Sequence, residues 1–187
     1  MINVGSGWIG SSLDLAGVLA GTGIAVVTRV NKDQKREVAV FYQAKDLTLR
    51  GHVYDRGWGS GQSTVEPMEY HPPNSWPKHH KGTFNPKEAT GRTPIGATVI
   101  NTGEIQVYWR DVVGRLAFSR KPDDKWSEPG FIAGIVPGFE IAAVGWETTK
   151  NVRVYVQDCT GMISELRSGN SGSTWSNPNV VVAGSNP

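Results

Sequence analysis

Arg153 and Glu165 stand twelve residues apart across a hairpin. The valines of Val152-Arg153-Val154-Tyr155-Val156-Gln157 point to one face of a strand, and Arg153, Tyr155 and Gln157 point to the other. A planar guanidinium with several donors and a carboxylate acceptor can bracket the vicinal hydroxyls of a pyranose, while an indole covers the sugar's apolar C–H face. As a simple cross-strand ion pair, the same two residues would contribute well under ~1 kcal/mol if exposed. Both readings stand on these residues alone.

The elements that must position the pair repeat along the chain. Thr22 to Trp58, Thr93 to Trp126 and Phe139 to Trp175 each open on a small or apolar cluster and continue through a Tyr- or Phe-bearing strand and a polar strand to a Trp. Val38 to Gln43 and Ile105 to Arg110 keep the register of Val152 to Gln157. Trp8, Trp58, Trp126 and Trp175 lie 50, 68 and 49 residues apart, close to the length of one four-stranded unit. A unit of four short strands cannot bury both faces alone, so the expected fold is all-β, a β-propeller of about three four-stranded blades. The whole chain, 1–187, reads as a single domain with approximate blades at 18–62, 93–130 and 138–179. Residues 63–92, rich in proline and histidine and without strand periodicity, form an insertion loop. Gly/Pro/Ser-bearing connectors such as 127–130 and 176–179 are expected to carry the chain from one blade to the next. Three blades leave two raw edges, for which a homodimer closing a six-bladed ring is the simplest cover, although a chain cut from a longer parent would read alike.

The run Asn151 to Asp158 (NVRVYVQD), followed by Gly161 to Leu166 (GMISEL) and then Trp175, resembles one repeat of the fungal and bacterial fucose-specific lectin family. The resemblance covers nearly the whole chain at the level of repeat architecture, apart from 63–92. It implies six blades in a ring, with L-fucose bound between neighbouring blades by an Arg, a Glu and aromatic rings of the adjacent blade. By position Arg153 and Glu165 match the Arg and the Glu. The other two repeats depart from the pattern. Gln106 and Ala39 stand in place of Arg153, and Phe118 and Arg50 in place of Glu165. Ala39 offers no hydrogen bond and Phe118 accepts none, so at most one site per chain is intact. The expected ligand is a fucosylated glycan or other small molecule, bound reversibly and without metal or cofactor. Candidate ligand-contacting residues are Arg153, Glu165, Trp175, Gln106 and Tyr108, together with Tyr54 and Trp58 of a partner copy, where the third blade meets the first across a dimer seam. Each repeated Trp reads more readily as a wedge between sheets than as a ligand platform. Trp109 and Trp146 fit a pocket or a seam equally.

Other function classes find less support. A formal charge of +2 without a Lys/Arg stripe argues against nucleic acid, and no apolar stretch is long enough for a membrane helix. His71, His79 and His80 match no zinc spacing. Cys159 is the one cysteine and has no legible base, so neither a disulfide within the chain nor a nucleophilic role is expected. Without a secretory leader pattern, the chain reads as cytoplasmic, or secreted without a classical signal. A second reading is enzymatic. Proteins of fungal secondary metabolism that resemble these lectins act as pericyclases, joining a quinone methide to a terpene, for which Arg153, Gln106, Tyr108 or His52 would supply hydrogen bonds. An interaction module without a small ligand is a third.

Overall fold

Alternation of apolar and polar residues sets the strands, and glycine lets their sheets approach. In the computed structural model the described residues are 2–3, 8–9, 17–30, 34, 36–55, 62–64, 89–100, 103–122, 126–146 and 149–183. A two-stranded sheet pairs β1 (Ile2–Asn3) with β2 (Trp8–Ile9). Three four-stranded antiparallel sheets follow. The first blade is β3 (Ile24–Val30), β4 (Arg36–Gln43), β5 (Leu49–Asp55) and β6 (Gln62–Thr64). In the second are β7 (Ile95–Ile100), β8 (Glu104–Arg110), β9 (Leu116–Lys121) and β10 (Gly130–Ile132). The third is built from β11 (Glu140–Gly145), β12 (Val152–Gln157), β13 (Ile163–Ser168) and β14 (Asn179–Val182). Strands pair in chain order within each blade, as in a propeller.

Each blade has a leading face toward the preceding blade and a trailing face toward the next. Phe41, Ala39 and Ala25 on the trailing face of the first blade pack with Val107, Trp109 and Ile95 on the leading face of the second. Tyr108, Phe118 and Ile100 then meet Val152, Val154, Val156 and Ile141 of the third. These are the two seams between the described blades, and both are apolar at their centres. First strands of successive blades come so close that a Cβ on Gly96 would sit 2.7 Å from Ile141 Cγ2, and one on Gly145 would overlap Ile100. Glycine is therefore required at both places by space rather than by backbone angle.

In the first and second blades one side chain latches the incoming chain of the next. The amide of fully buried Gln43 donates to Leu47 O and Thr90 O, and accepts from the Arg92 and Thr93 amides. Arg110 at the equivalent position donates through Nη1 to Pro137 O and Gly138 O, both at 3.1 Å. Gln157 holds the same place in the third blade.

Several expectations need revision. The connectors 127–130 and 176–179 lead into the fourth strands β10 and β14 of their own blades. The chain crosses from the second to the third blade at 133–139 instead. Fourth strands end at Thr64, Ile132 and Val182, a few residues beyond the expected limits of 62, 130 and 179. Ser63 and Thr64, expected in the insertion, belong to β6, and 89–92 rejoin the fold through the Ala89–Asp111 bridge. Residues 65–88 of the insertion, with Trp76 and the three histidines, lie outside the described residues. So do Trp58 and the side chains of Trp8, His52 and Tyr54.

Candidate functional site

The second and third strands of every blade meet in a hairpin closed by the same bond, and that bond aligns the three blades. Ala44 donates to Thr48 O at 2.8 Å, Asp111 to Arg115 O at 3.0 Å and Asp158 to Met162 O at 3.0 Å. Counted from there, Tyr155 opposite Glu165 corresponds to Tyr108 opposite Phe118 and to Phe41 opposite Gly51. Gly51, not Arg50, is thus the counterpart of Glu165. Arg50 pairs with Tyr42 in register and turns to Asp46, 2.7 Å from Oδ2.

Arg153 and Glu165 do meet, on the trailing face of the third blade. Arg153 Nη1 donates to Glu165 Oε2 at 3.2 Å, and the Tyr155 hydroxyl donates to the same oxygen at 2.8 Å. Arg167 Nε donates to Oε1, so each carboxylate oxygen is held. Glu165 is 4 % exposed in its side chain, whereas Arg153 and Arg167 are 40 % and 57 % exposed. The hydrogen bonds from Tyr155 and Arg167, with both guanidinium charges, hold the Glu165 carboxyl below its ordinary value of 4.5. It is a fixed, buried anion beside two guanidiniums that are about half exposed. Behind Arg153 lies Trp146, whose ring centroid is 5.4 Å from the guanidinium carbon. The ring and the carboxylate hold the guanidinium from two sides.

Gln106, Tyr108 and Trp175 assemble elsewhere, in the seam between the second and third blades. Gln106 Nε2 donates to Glu104 Oε1 and Ser171 O, both at 2.9 Å, Arg120 Nη1 donates to Ser171 O at 3.0 Å, and the Tyr108 hydroxyl donates to Gln106 Oε1. Burial, with Glu104 nearby, pushes the Tyr108 phenol well above its usual range. Trp175 stands edge-on to Tyr108 and Phe118, at 6.0 and 5.8 Å between centroids. It is a wedge of this seam and does not touch the Arg153–Glu165 pair. Trp126 is the equivalent wedge in the preceding seam, edge-on to Phe41 at 5.8 Å. In both blades the serine after the Trp ties it down: Ser127 donates to Arg120 O at 2.7 Å and Ser176 to Arg167 O at 2.8 Å.

A strap of differing length joins the third strand to the Trp in each repeat. Tyr54, Lys121 and Ser168 are equivalent in register, and the straps that follow are 55–57, 122–125 and 169–174. The longest reaches into the seam, where Ser171, at φ 58°, offers its carbonyl to Gln106 and Arg120.

Sequence reasoning left out Tyr155 and Arg167 and left Trp146 undecided. Period-two alternation was the available signal, since Tyr155 and Arg167 lie two residues from Arg153 and Glu165 and so share their face. Among the described residues no group of three or more His, Cys, Asp or Glu could hold a metal ion. Exposed Cys159 sits at a hairpin tip.

Comparison with known proteins completes the picture. Residues 1–184 match the family model described as fungal fucose-specific lectin. A fucose-specific lectin of Aleuria aurantia is 27 % identical over 98 % of this chain and 52 % of its own length. A crystal structure of the Aleuria aurantia lectin, described as a six-bladed β-propeller, superposes with a TM-score of 0.61 at 20 % identity, covering 89 % of this chain and 46 % of that one. A fucose lectin from Kordia zhangzhouensis in complex with methyl-fucoside gives 0.53 at 14 % identity, covering 87 % of this chain and 100 % of that one. The chain therefore spans about half the length of the curated relatives it matches, and all of a shorter solved lectin.

Proposed function

This chain belongs to the fungal fucose-specific lectin family, and on that premise we propose that it binds L-fucose or a fucosylated glycan reversibly on the trailing face of its third blade. One observation carries the reading: Arg153, Tyr155 and Glu165 form a preorganised donor–acceptor group that is left half-open. Vicinal sugar hydroxyls donate to Glu165 and accept from the free edges of Arg153, with the geometry set before the ligand arrives. No step of bond making is involved. The pericyclase reading draws no support, because Gln106 and Tyr108 are bonded to each other within a filled seam.

A following blade completes the cleft, and we assign it to a second copy of the chain. The leading face of the first blade exposes Ile24 at 59 %, whereas its counterpart Ile141 in the third blade is 6 % exposed under the second. Val26 and Val30 are exposed beside it, and across the proposed seam the third blade presents Val144 and Trp146. Apolar first strands would close against each other there, as they do in the two seams observed. Among the described residues the Gln157 amide lacks the incoming chain that its equivalents latch. In such a dimer Tyr54 and Trp58 of the partner copy are, by their positions in the sequence repeat, the expected contributors to the cleft.

A glycan array tests the ligand. Fucosylated structures are expected as the dominant hits, and an array without them removes the reading. Mass measurement in solution tests the assembly: twice the chain mass is expected, and a monomer that still binds fucose contradicts the assigned partner.

A further inference from the structure

Glu165 is one anion between two cations. Arg153 and Arg167 are Cα partners on adjacent strands, and each gives the carboxylate a single donor, Arg153 through Nη1 and Arg167 through Nε. Both terminal nitrogens of Arg167 make no other hydrogen bond with the described residues, and both arginine side chains are about half exposed. The trio carries one net positive charge.

The seams inside the chain enclose their cations, with Lys121 of the first seam only 1 % exposed beside Trp126. Arg29 is matched by Glu37 at 2.6 Å in the first. In the second, Arg120 Nη1 is taken by the Ser171 carbonyl and Arg110 Nη1 by the Pro137 and Gly138 carbonyls. Around the trailing face of the third blade, Glu140 lies at the opposite end of β11, opposite Gln157, and Asp158 is turned into its own hairpin by Thr160 and Met162.

We propose that this site prefers fucosylated glycans that carry an anionic substituent, a sulfate ester or a carboxylate, on the fucose or on the sugar next to it, with Arg167 as the residue that reads the charge. Arg153 and Glu165 engage the fucose hydroxyls, and this inference rests on that reading. The free fork of Arg167 then faces whatever the sugar bears beside them. A guanidinium fork matches a sulfate or carboxylate with two parallel donors. A neutral glycan leaves the surplus charge to water.

Calorimetry with methyl α-L-fucoside, with its monosulfate esters, and with a fucosylated trisaccharide with and without sialic acid separates the cases. At low ionic strength at least one sulfated or sialylated ligand is expected to bind about tenfold tighter than its neutral parent, and added salt should shrink that ratio. In Arg167→Gln the ratio should fall toward one, whatever change both ligands share. The sulfate arm and the sialic acid arm tell the two sources of charge apart. If the neutral fucoside binds and no charged ligand binds better, the charge preference is wrong and fucose binding stands. A ratio unchanged in Arg167→Gln overturns the role of Arg167. Should no ligand bind at all, the fucose reading fails and takes this inference with it.

Discussion

The trailing faces of the second and third blades share one backbone register and differ in what they do with it. Tyr108 and Tyr155 are equivalent, as are Arg120 and Arg167, yet Glu165 is replaced by Phe118 and Arg153 by Gln106. In the second blade the ring at 118 packs on Trp175, the Ser171 carbonyl caps the remaining donors, and the cleft is closed. In the third, a carboxylate at the same place gathers Tyr155, Arg153 and Arg167 and stays half-open. Phenyl in place of carboxylate and an amide in place of guanidinium, with the 169–174 strap filling the gap, turn a polar cleft into core.

The largest test of that contrast exchanges the two equivalent residues for alanine. Glu165→Ala should abolish measurable fucoside binding, about a hundredfold or more, because it removes an ionised acceptor and leaves two guanidiniums unmatched. Phe118→Ala should lower stability by about 3–5 kcal/mol in chemical denaturation and leave fucoside affinity nearly unchanged below its melting temperature. If Phe118→Ala weakens binding as much as Glu165→Ala, the two faces are not functionally distinct.

The tyrosines sharpen the comparison at a smaller scale. Removing the hydroxyl in Tyr155→Phe takes a charge-assisted bond from Glu165 and should weaken fucoside binding about tenfold. Tyr108→Phe should instead cost about 1 kcal/mol of stability through the Gln106 carbonyl, with affinity unmoved.

Acid titration tests the carboxylate of the third blade. Glu165 titrates below its ordinary value of 4.5 in the folded protein, so the carboxylate's contribution is complete above 4.5 and is lost as pH falls through the depressed value. Fucoside affinity measured by calorimetry should therefore be flat from neutral pH to about 5 and decline only in more acid solution. A decline centred above 5 would mean that the carboxylate is not held in this way. The smallest effect belongs to the strap. Ser171→Gly relieves a positive φ and should shift stability by no more than about 1 kcal/mol, with no change in fucoside affinity.

How much of this the sequence discloses depends on the local pattern. The strands β4, β8 and β12 are legible because valine or isoleucine alternates with larger or polar residues over six positions, and the Arg153–Glu165 pair follows once the hairpin between them is placed. β5 reads Leu-Arg-Gly-His-Val-Tyr-Asp, which alternates poorly, so the counterpart of Glu165 falls one residue off, on Arg50 instead of Gly51. The connectors 127–130 and 176–179 are turn-rich either way, and the strands after them are only three and four residues long. Nothing in such punctuation says whether the chain leaves its blade. Trp175 illustrates a further limit, since its repeat position suggests either a platform or a wedge, and the length and path of 169–174 decide between them. Arg167 was open to the same period-two rule that marks Arg153, but only the three-dimensional trio shows that one carboxylate serves two guanidiniums.

The central claim is that fucose binds on the Arg153–Glu165 face and not in the filled seams. Calorimetric titration of the wild-type protein and of Arg153→Ala with methyl α-L-fucoside tests it most directly. One fucoside per chain, and loss of the heat signal in Arg153→Ala, is the predicted result. Two or three fucosides per chain, or an Arg153→Ala protein that binds as the wild type does, would contradict it.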